Sequence, residues 1–299
     1  MRRQLSVGAG EAARGLGPAR PARHGRRRLS RGARRDRRAG AGAAGVLAVS
    51  AAGPARRPLG GRLLAEFIGT ALLLATVVGS GIMGVNLAAG NDALALLANA
   101  MATAGVLYVL IVLFGPLSGA HFNPAVTVAM RVRGELDNRE AGAYVLVQVA
   151  GAVVGVILAH AMFDQALLQP GVRVRSGASQ WLSEAIATFG LLLTILLGLR
   201  HRPAAVPVLV AAWIFAAYWF TASTSFANPA VTIARALTRS FAGIRPDDVA
   251  GFVAAQLAGA VVALWVARWL PSPRPRGDRV SEGVSAGGGD TVADDAAVS

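Results

Sequence analysis

The feature that most constrains this chain is a duplicated block. Asn-Pro-Ala-Val-Thr occurs at 123–127 and again at 228–232, and each copy travels with the same companions. Upstream of the first lies an apolar segment opening on AEFIGT (65–70), and upstream of the second one opening on SEAIAT (183–188). Downstream come QVAGAVVG (148–155) and QLAGAVVA (256–263). The order in each half is a Glu segment, a second apolar segment, the Asn-Pro-Ala block and a Gln-Ala-Gly segment. Three long segments per half is an odd number, so a second half that crosses a bilayer enters it from the opposite face. Inverted repeats of this kind place their functional site near the midplane, where the copies meet.

Composition supports spans rather than core helices. Hydrophobic residues make up 54% of the 299 and charged residues 15%, against about a quarter charged in ordinary soluble domains. Six apolar stretches, roughly 63–86, 92–114, 140–162, 181–199, 205–222 and 248–270, approach the ~20 residues that cross a bilayer at about 1.5 Å per residue. Sixteen of the 30 basic residues, all of them Arg, precede position 63. That head has no aromatic residue before Phe67 and no periodic apolar face. It reads as a disordered extension over 1–60, or as a start site placed too early, and not as a nucleic-acid-binding module. The membrane domain is expected over 61–270 and a disordered tail over 271–299. With the N-terminus in the cytoplasm, the head, Arg131, Arg133, Arg139, Arg200, Arg202 and the last arginines fall inside. Arg173, Arg175, Arg235, Arg239 and Arg245 fall outside, so positive-inside counting puts both termini in the cytoplasm of a multi-pass inner-membrane protein. There is no cysteine, and His24, His121, His160 and His201 have no metal-site spacing; no metal and no cofactor are expected.

The Asn-Pro-Ala blocks have a physical reading of their own. Each lies between spans and is followed by a stretch too short to cross a membrane. Pro suits the first turn of a helix, where its missing N–H is not needed, and Asn before it is a good N-cap. Each block therefore reads as a loop that dips in and starts a half-helix, one from either face, the bare backbone covered by protein or water. Asn123, Pro124 and Ala125 then meet Asn228, Pro229 and Ala230 at the centre. The two Asn amides point into a shared lumen, and each helix start carries roughly half a positive charge that repels cations.

These residues resemble the aquaporin, or major intrinsic protein, family over about Arg62 to Leu270. SGAHFNPAVT (118–127) is similar to the family's first signature and NPAVTIAR (228–235) to its second. The resemblance implies an all-α membrane fold of six tilted helices plus two half-helices, one pore per subunit, and a homotetramer in lipid. It also implies that Glu66 and Glu184 hold the dipping loops, which makes them structural carboxylates and not proton carriers.

The sequence departs from the family where an Arg usually follows the second Asn-Pro-Ala; here that position is Val231. Ungapped spacing from Asn123 and Asn228 carries the other filter positions to Thr103, Ala216 and Ser225. Four small uncharged residues predict a wide constriction of low polarity that passes solutes larger than water. Arg235, one helical turn beyond Val231, either places a cation in the outer vestibule or snorkels to the interface. His121 is expected near the pore as a packed, hydrogen-bonded side chain. The pattern TSFANPAVTIARALT…FAGIRP is similar to bacterial members associated with arsenic detoxification. Glycerol, neutral arsenite and water are the solutes this implies, with a water-selective or urea/ammonia channel as the alternative. A secondary transporter also uses inverted repeats but needs midplane ionisable groups; the in-span acids here are already engaged as loop supports. No nucleophile, base and orienter set is visible, so an enzyme is not expected.

Overall fold

In a computed structural model, residues 57–271 are described; nearly all of the expected head and tail lie outside the described residues. All regular structure among the described residues is helical, and six elements are long and apolar enough to cross a membrane. In chain order the helices are α1 (Leu59–Leu87), α2 (Asp92–Ser118), α3 (Pro124–Val132), α4 (Asn138–Met162), α5 (Ala178–His201), α6 (Val206–Phe220), α7 (Pro229–Arg235) and α8 (Val249–Trp269). Short 3₁₀ turns at Pro203–Ala205 and Pro246–Asp248 lead into α6 and α8.

Local chemistry sets the ends. Asn91 caps α2, its Oδ1 accepting from Ala93 N and Leu94 N at 3.0 and 3.1 Å. Asp137 and Glu140 form a capping box at the start of α4, where backbone and side chains satisfy one another reciprocally. The second span outruns its sequence-based end at 114. It passes through Pro116, which lacks the N–H for one ladder bond, and stops three residues later where Gly119 adopts a left-handed φ of 91°.

Two helix pairs carry the repeat. α1 packs on α4 and α5 packs on α8. The glycines of the Gln-Ala-Gly segments explain how closely. A Cβ at Gly151 would collide with the Phe67 carbonyl oxygen, one at Gly155 with that of Ala71, and one at Gly259 with that of Ala185. Small residues let backbones approach in a medium with no hydrophobic force between helices. Arg62 joins the first pair at one end, donating to Glu140 at 2.7 Å and to Tyr144 Oη at 2.9 Å. The outward faces carry Leu64, Leu113, Leu146, Val261, Trp265 and Trp269, all exposed, which suits contact with hydrocarbon.

Candidate functional site

The half-helices α3 and α7 start at the centre of the bundle. Each dipping loop is bent by non-glycine residues in the left-handed region: Ala120 and Phe122 in the first, Thr224, Ser225 and Ala227 in the second, all with φ of 48–60°. Such backbone is unfavourable unless its surroundings hold it, and the duplicated companions do so. Glu66 accepts from His121 N (2.9 Å) and Phe122 N (2.7 Å), and from Ser118 Oγ (2.6 Å). Glu184 accepts from Phe226 N (2.8 Å) and Ala227 N (2.9 Å).

The repeated Gln and Thr complete the same bracket. Gln148 Nε2 donates to Glu66 at 2.8 Å and to Thr127 Oγ1 at 2.9 Å. Gln256 Nε2 donates to Glu184 at 2.6 Å and to Thr232 Oγ1 at 2.8 Å. Each half thus ties a Glu span, a Gln span and a half-helix through one buried network. The sequence displays Gln-Ala-Gly and the Thr of the duplicated block; their joint role emerges only when the three elements are packed together.

The two Asn side chains are arranged reciprocally. Asn123 Oδ1 accepts from Ala125 N (2.9 Å), and Asn228 Oδ1 from Ala230 N (3.0 Å) and Val231 N (3.3 Å). Asn123 Nδ2 donates across to Ala227 O (2.8 Å) and Asn228 Nδ2 to Phe122 O (2.7 Å). Each loop therefore caps its own helix and clasps the other. An amide Nδ2 carries two hydrogens, which leaves one on each Asn for the lumen. Pro124, Ala125, Pro229 and Ala230 are all buried in the first turns behind them.

Asn123 and Asn228 line a cavity of about 50 Å³ that continues past Thr103, Ser225 and Val231. By the same measure one water needs roughly 10–15 Å³, so the space holds a short file of small molecules. Ala216 lies elsewhere: it is exposed on the outer face of α6, while Ile214 and Tyr218 of that helix line the cavity. Positions two apart on a helix point to nearly opposite sides, so ungapped counting from Asn228 misplaced the register across the intervening loop. Tyr218 Oη lies 3.2 Å from Thr103 Oγ1. A phenol therefore stands where a small residue was expected.

Arg235 also lines the cavity and is fully buried, so it does not snorkel. Its guanidinium stacks on the Phe226 ring at 3.4 Å, and its Nε donates to Ala242 O. The surroundings of the filter are accordingly charged and partly aromatic, unlike the small uncharged set expected from four positions. Arg175, which the sequence places only on the outer side, packs against Phe226 as well at 4.8 Å. It donates to Gly243 O (2.9 Å) and Ser223 O (2.8 Å), while its own backbone N–H reaches Asp248 (2.7 Å). Burial, and then the neighbouring Arg235, lower the Arg175 guanidinium to about 9, which leaves it cationic at neutral pH. His121 is held by Thr127 Oγ1 at 3.1 Å and packs against Tyr144. Among the described residues no three His, Asp or Glu side chains gather as a metal site.

The comparisons agree with this geometry. The family described as Major intrinsic protein matches residues 56–217. The chain is 58% identical over 212 residues to "Aquaglyceroporin AqpS" of Rhizobium meliloti (strain 1021), covering 71% of this chain and 91% of that protein. It is 31% identical over 222 residues to "Aquaporin TIP2-3" of Zea mays, covering 70% and 89%. Among solved structures it is similar to the aquaglyceroporin from Plasmodium falciparum, with a TM-score of 0.56, 18% identity, and 71% of this chain and 95% of that one covered; at that identity the likeness speaks for the fold. The chain belongs to the major intrinsic protein family: it is an integral membrane protein, a channel and not an enzyme.

Proposed function

We propose that the chain conducts small uncharged hydroxylated solutes, glycerol and undissociated arsenite among them, together with water. The observation that carries this reading is the mixed lining of the cavity. Leu73, Leu107 and Val210 contribute apolar surface to that lining, and Asn123, Asn228, Ser225 and Tyr218 bring hydrogen-bonding side chains to it. A polyol or a neutral trihydroxide packs its weakly hydrated side against apolar lining and exchanges part of its water for hydrogen bonds to the polar side chains. The relative at 58% identity carries the printed name of an aquaglyceroporin, which favours the same solute class. Val231, in the position after Asn-Pro-Ala, leaves the half-helix start free of a large side chain.

The channel sits in the cell membrane with both termini in the cytoplasm, so the α7 loop and the filter face outward. Four copies assemble, each with its own pore through Asn123 and Asn228. Glu66 and Glu184 support the loops and take no part in proton transfer. Passive flux needs no coupling ion, and solute moves down whichever gradient exists.

Stopped-flow light scattering on proteoliposomes tests the reading. Wild type is expected to pass glycerol and arsenite well above empty liposomes, and Val231→Arg to lower both relative to water. Flux of water alone through wild type refutes the solute assignment. A saturable flux that depends on an ion gradient refutes passive conduction.

A further inference from the structure

The two halves of the repeat treat equivalent junctions differently. Where α4 meets the segment after α7, the protein closes the junction itself. His160 is hydrogen-bonded to Thr238 Oγ1 at 2.8 Å and to Leu167 O at 2.9 Å, and Gly171 N in the loop after α4 donates to Ala236 O at 2.8 Å. The counterpart at the other end of the bundle is open. A cavity of about 360 Å³ lies between the ends of α3, α5 and α8 and shares no lining residue with the pore cavity. That size falls within the roughly 300–1,000 Å³ of ligand pockets. Arg133, Arg200 and Arg268 line it, with Leu196, Leu264 and Ala267 as apolar neighbours. Arg133 and Arg268 are exposed, so the cavity opens at the surface. In sequence, Arg268 lies twelve residues after Gln256 as His160 does after Gln148, and Arg133 lies six after Thr127 as Thr238 does after Thr232. The hydrogen-bonded pair that closes one junction is thus replaced at the other by two guanidinium groups, which only donate and cannot bond each other. Arg200 stands sixteen residues after Glu184, where the first half has the buried Ile82 sixteen after Glu66.

Helix C-termini carry partial negative charge, and part of this basic lining answers it. Arg200 donates to Leu270 O at 2.7 Å and to Ala267 O at 2.9 Å, at the end of α8. Donors are left over. Arg268 makes no hydrogen bond or ion pair within the described residues. Arg133 gives one of its five N–H groups to Glu135, through Nε at 2.8 Å. The depth in the membrane is marked by α8. Leu264, Ala267 and Arg268 face the cavity, while Val261, Trp265 and Trp269 form an exposed stripe beside them, the two indoles 6.2 Å apart. Exposed Trp at the end of a span sits at the headgroup level. We propose that this cavity binds the phosphodiester headgroup of an anionic phospholipid. Phosphate oxygens accept from Arg268 and Arg133, whose planar forks match them, as basic pockets between transmembrane helices do for such headgroups. The apolar stripe selects a lipid over a free phosphate, because a headgroup held here leaves its acyl chains along Trp265 and Val261. With both termini in the cytoplasm, the orientation proposed above, the site faces the inner leaflet. The anion does at this junction what the His160–Thr238 bond does at the other: it ties the half-helix of one repeat to the spans of its partner repeat.

The full-length protein in neutral detergent is melted while phosphatidylglycerol, phosphatidylcholine or inorganic phosphate is titrated in, since a ligand of the folded state raises the melting temperature. Wild type is expected to rise with phosphatidylglycerol and not with phosphatidylcholine. Arg268→Gln and Arg133→Gln each move the half-point of that rise to roughly fivefold more lipid, and the two together to roughly 25-fold more, from the worth of one basic side chain at an anionic surface. Arg139→Gln combined with Arg202→Gln removes the same charge from the same end of the bundle outside the cavity, and should stay close to wild type. Arg200 is left intact, because its loss strands two carbonyls at the end of α8. A wild type that responds equally to both lipids overturns the site, and so does a control pair weakened as much as the cavity pair. An arginine-dependent rise with inorganic phosphate that phosphatidylglycerol does not exceed gives the cavity to a free anion and overturns the lipid. If the cavity pair fails to fold, Arg268→Gln alone decides among these outcomes, since it removes no bond within the described residues.

Discussion

Replacing Glu184 tests whether the second dipping loop is held by its carboxylate. Its Oε1 accepts from Phe226 N, and its Oε2 from Ala227 N and Gln256 Nε2. In Glu184→Gln one of those oxygens becomes an NH₂ group. With the new amide at the Oε2 position, Gln256 can turn over and present its free Oε1, which leaves Ala227 N as the orphan; with the amide at Oε1, Phe226 N is orphaned. Either way one buried N–H loses its acceptor, at about 1–3 kcal/mol. Glu184→Ala orphans both N–H groups, for about 2–6 kcal/mol. The loop backbone these bonds restrain includes three left-handed non-glycine residues, so the loop is expected to relax and the Asn228 amide to leave the lumen. Thermal unfolding of the purified protein in detergent, with about 2–4 °C expected per kcal/mol for a chain of this size, and water permeability in proteoliposomes measure the two consequences. The expected order is wild type above Gln above Ala in both. An alanine variant matching wild type in stability and flux would refute the claim that this carboxylate holds the loop.

Further outcomes follow from the same contacts. Gly155→Ala drives a methyl into the Ala71 carbonyl, backbone that cannot rotate away, and is expected to destabilise the α1–α4 pair by about 1–3 kcal/mol, read as a lower melting temperature. Ala216→Trp faces outward and should leave water and glycerol flux near wild type, whereas Ile214→Trp fills the cavity and blocks both; equal effects from the two would contradict the register of α6. His160 is buried between Thr238 Oγ1 (2.8 Å) and Leu167 O (2.9 Å). His160→Leu strands the Leu167 carbonyl, while Thr238 Oγ1 keeps its bonds with Ser240, and should cost about 1–3 kcal/mol of stability, measurable in the same thermal assay, with little change in the glycerol-to-water ratio.

Much of this protein is legible in its letters. Apolar runs of spanning length, an odd number of them per repeat, and Asn-Pro at the start of two short helices determine six spans, the inversion and the meeting of the half-helices. Those inferences need only local chemistry and the thickness of a bilayer. Glu66 and Glu184 could be named as loop supports from resemblance, and the structure supplies the bonds they accept. What the letters left open is everything that depends on how separate elements rotate against each other. Ala216 was reached by counting through a loop, and a loop carries no period that would preserve a helix register. Tyr218 enters the filter because α6 is turned to present Val210, Ile214 and Tyr218 along one stripe. Arg235 could snorkel or turn inward on sequence grounds alone, since a long flexible side chain reaches either place. Only the tertiary structure decided it, because Phe226 and Ala242 fold back from either side of the half-helix and Arg175 arrives from the loop between α4 and α5, and together they hold that one guanidinium against the pore.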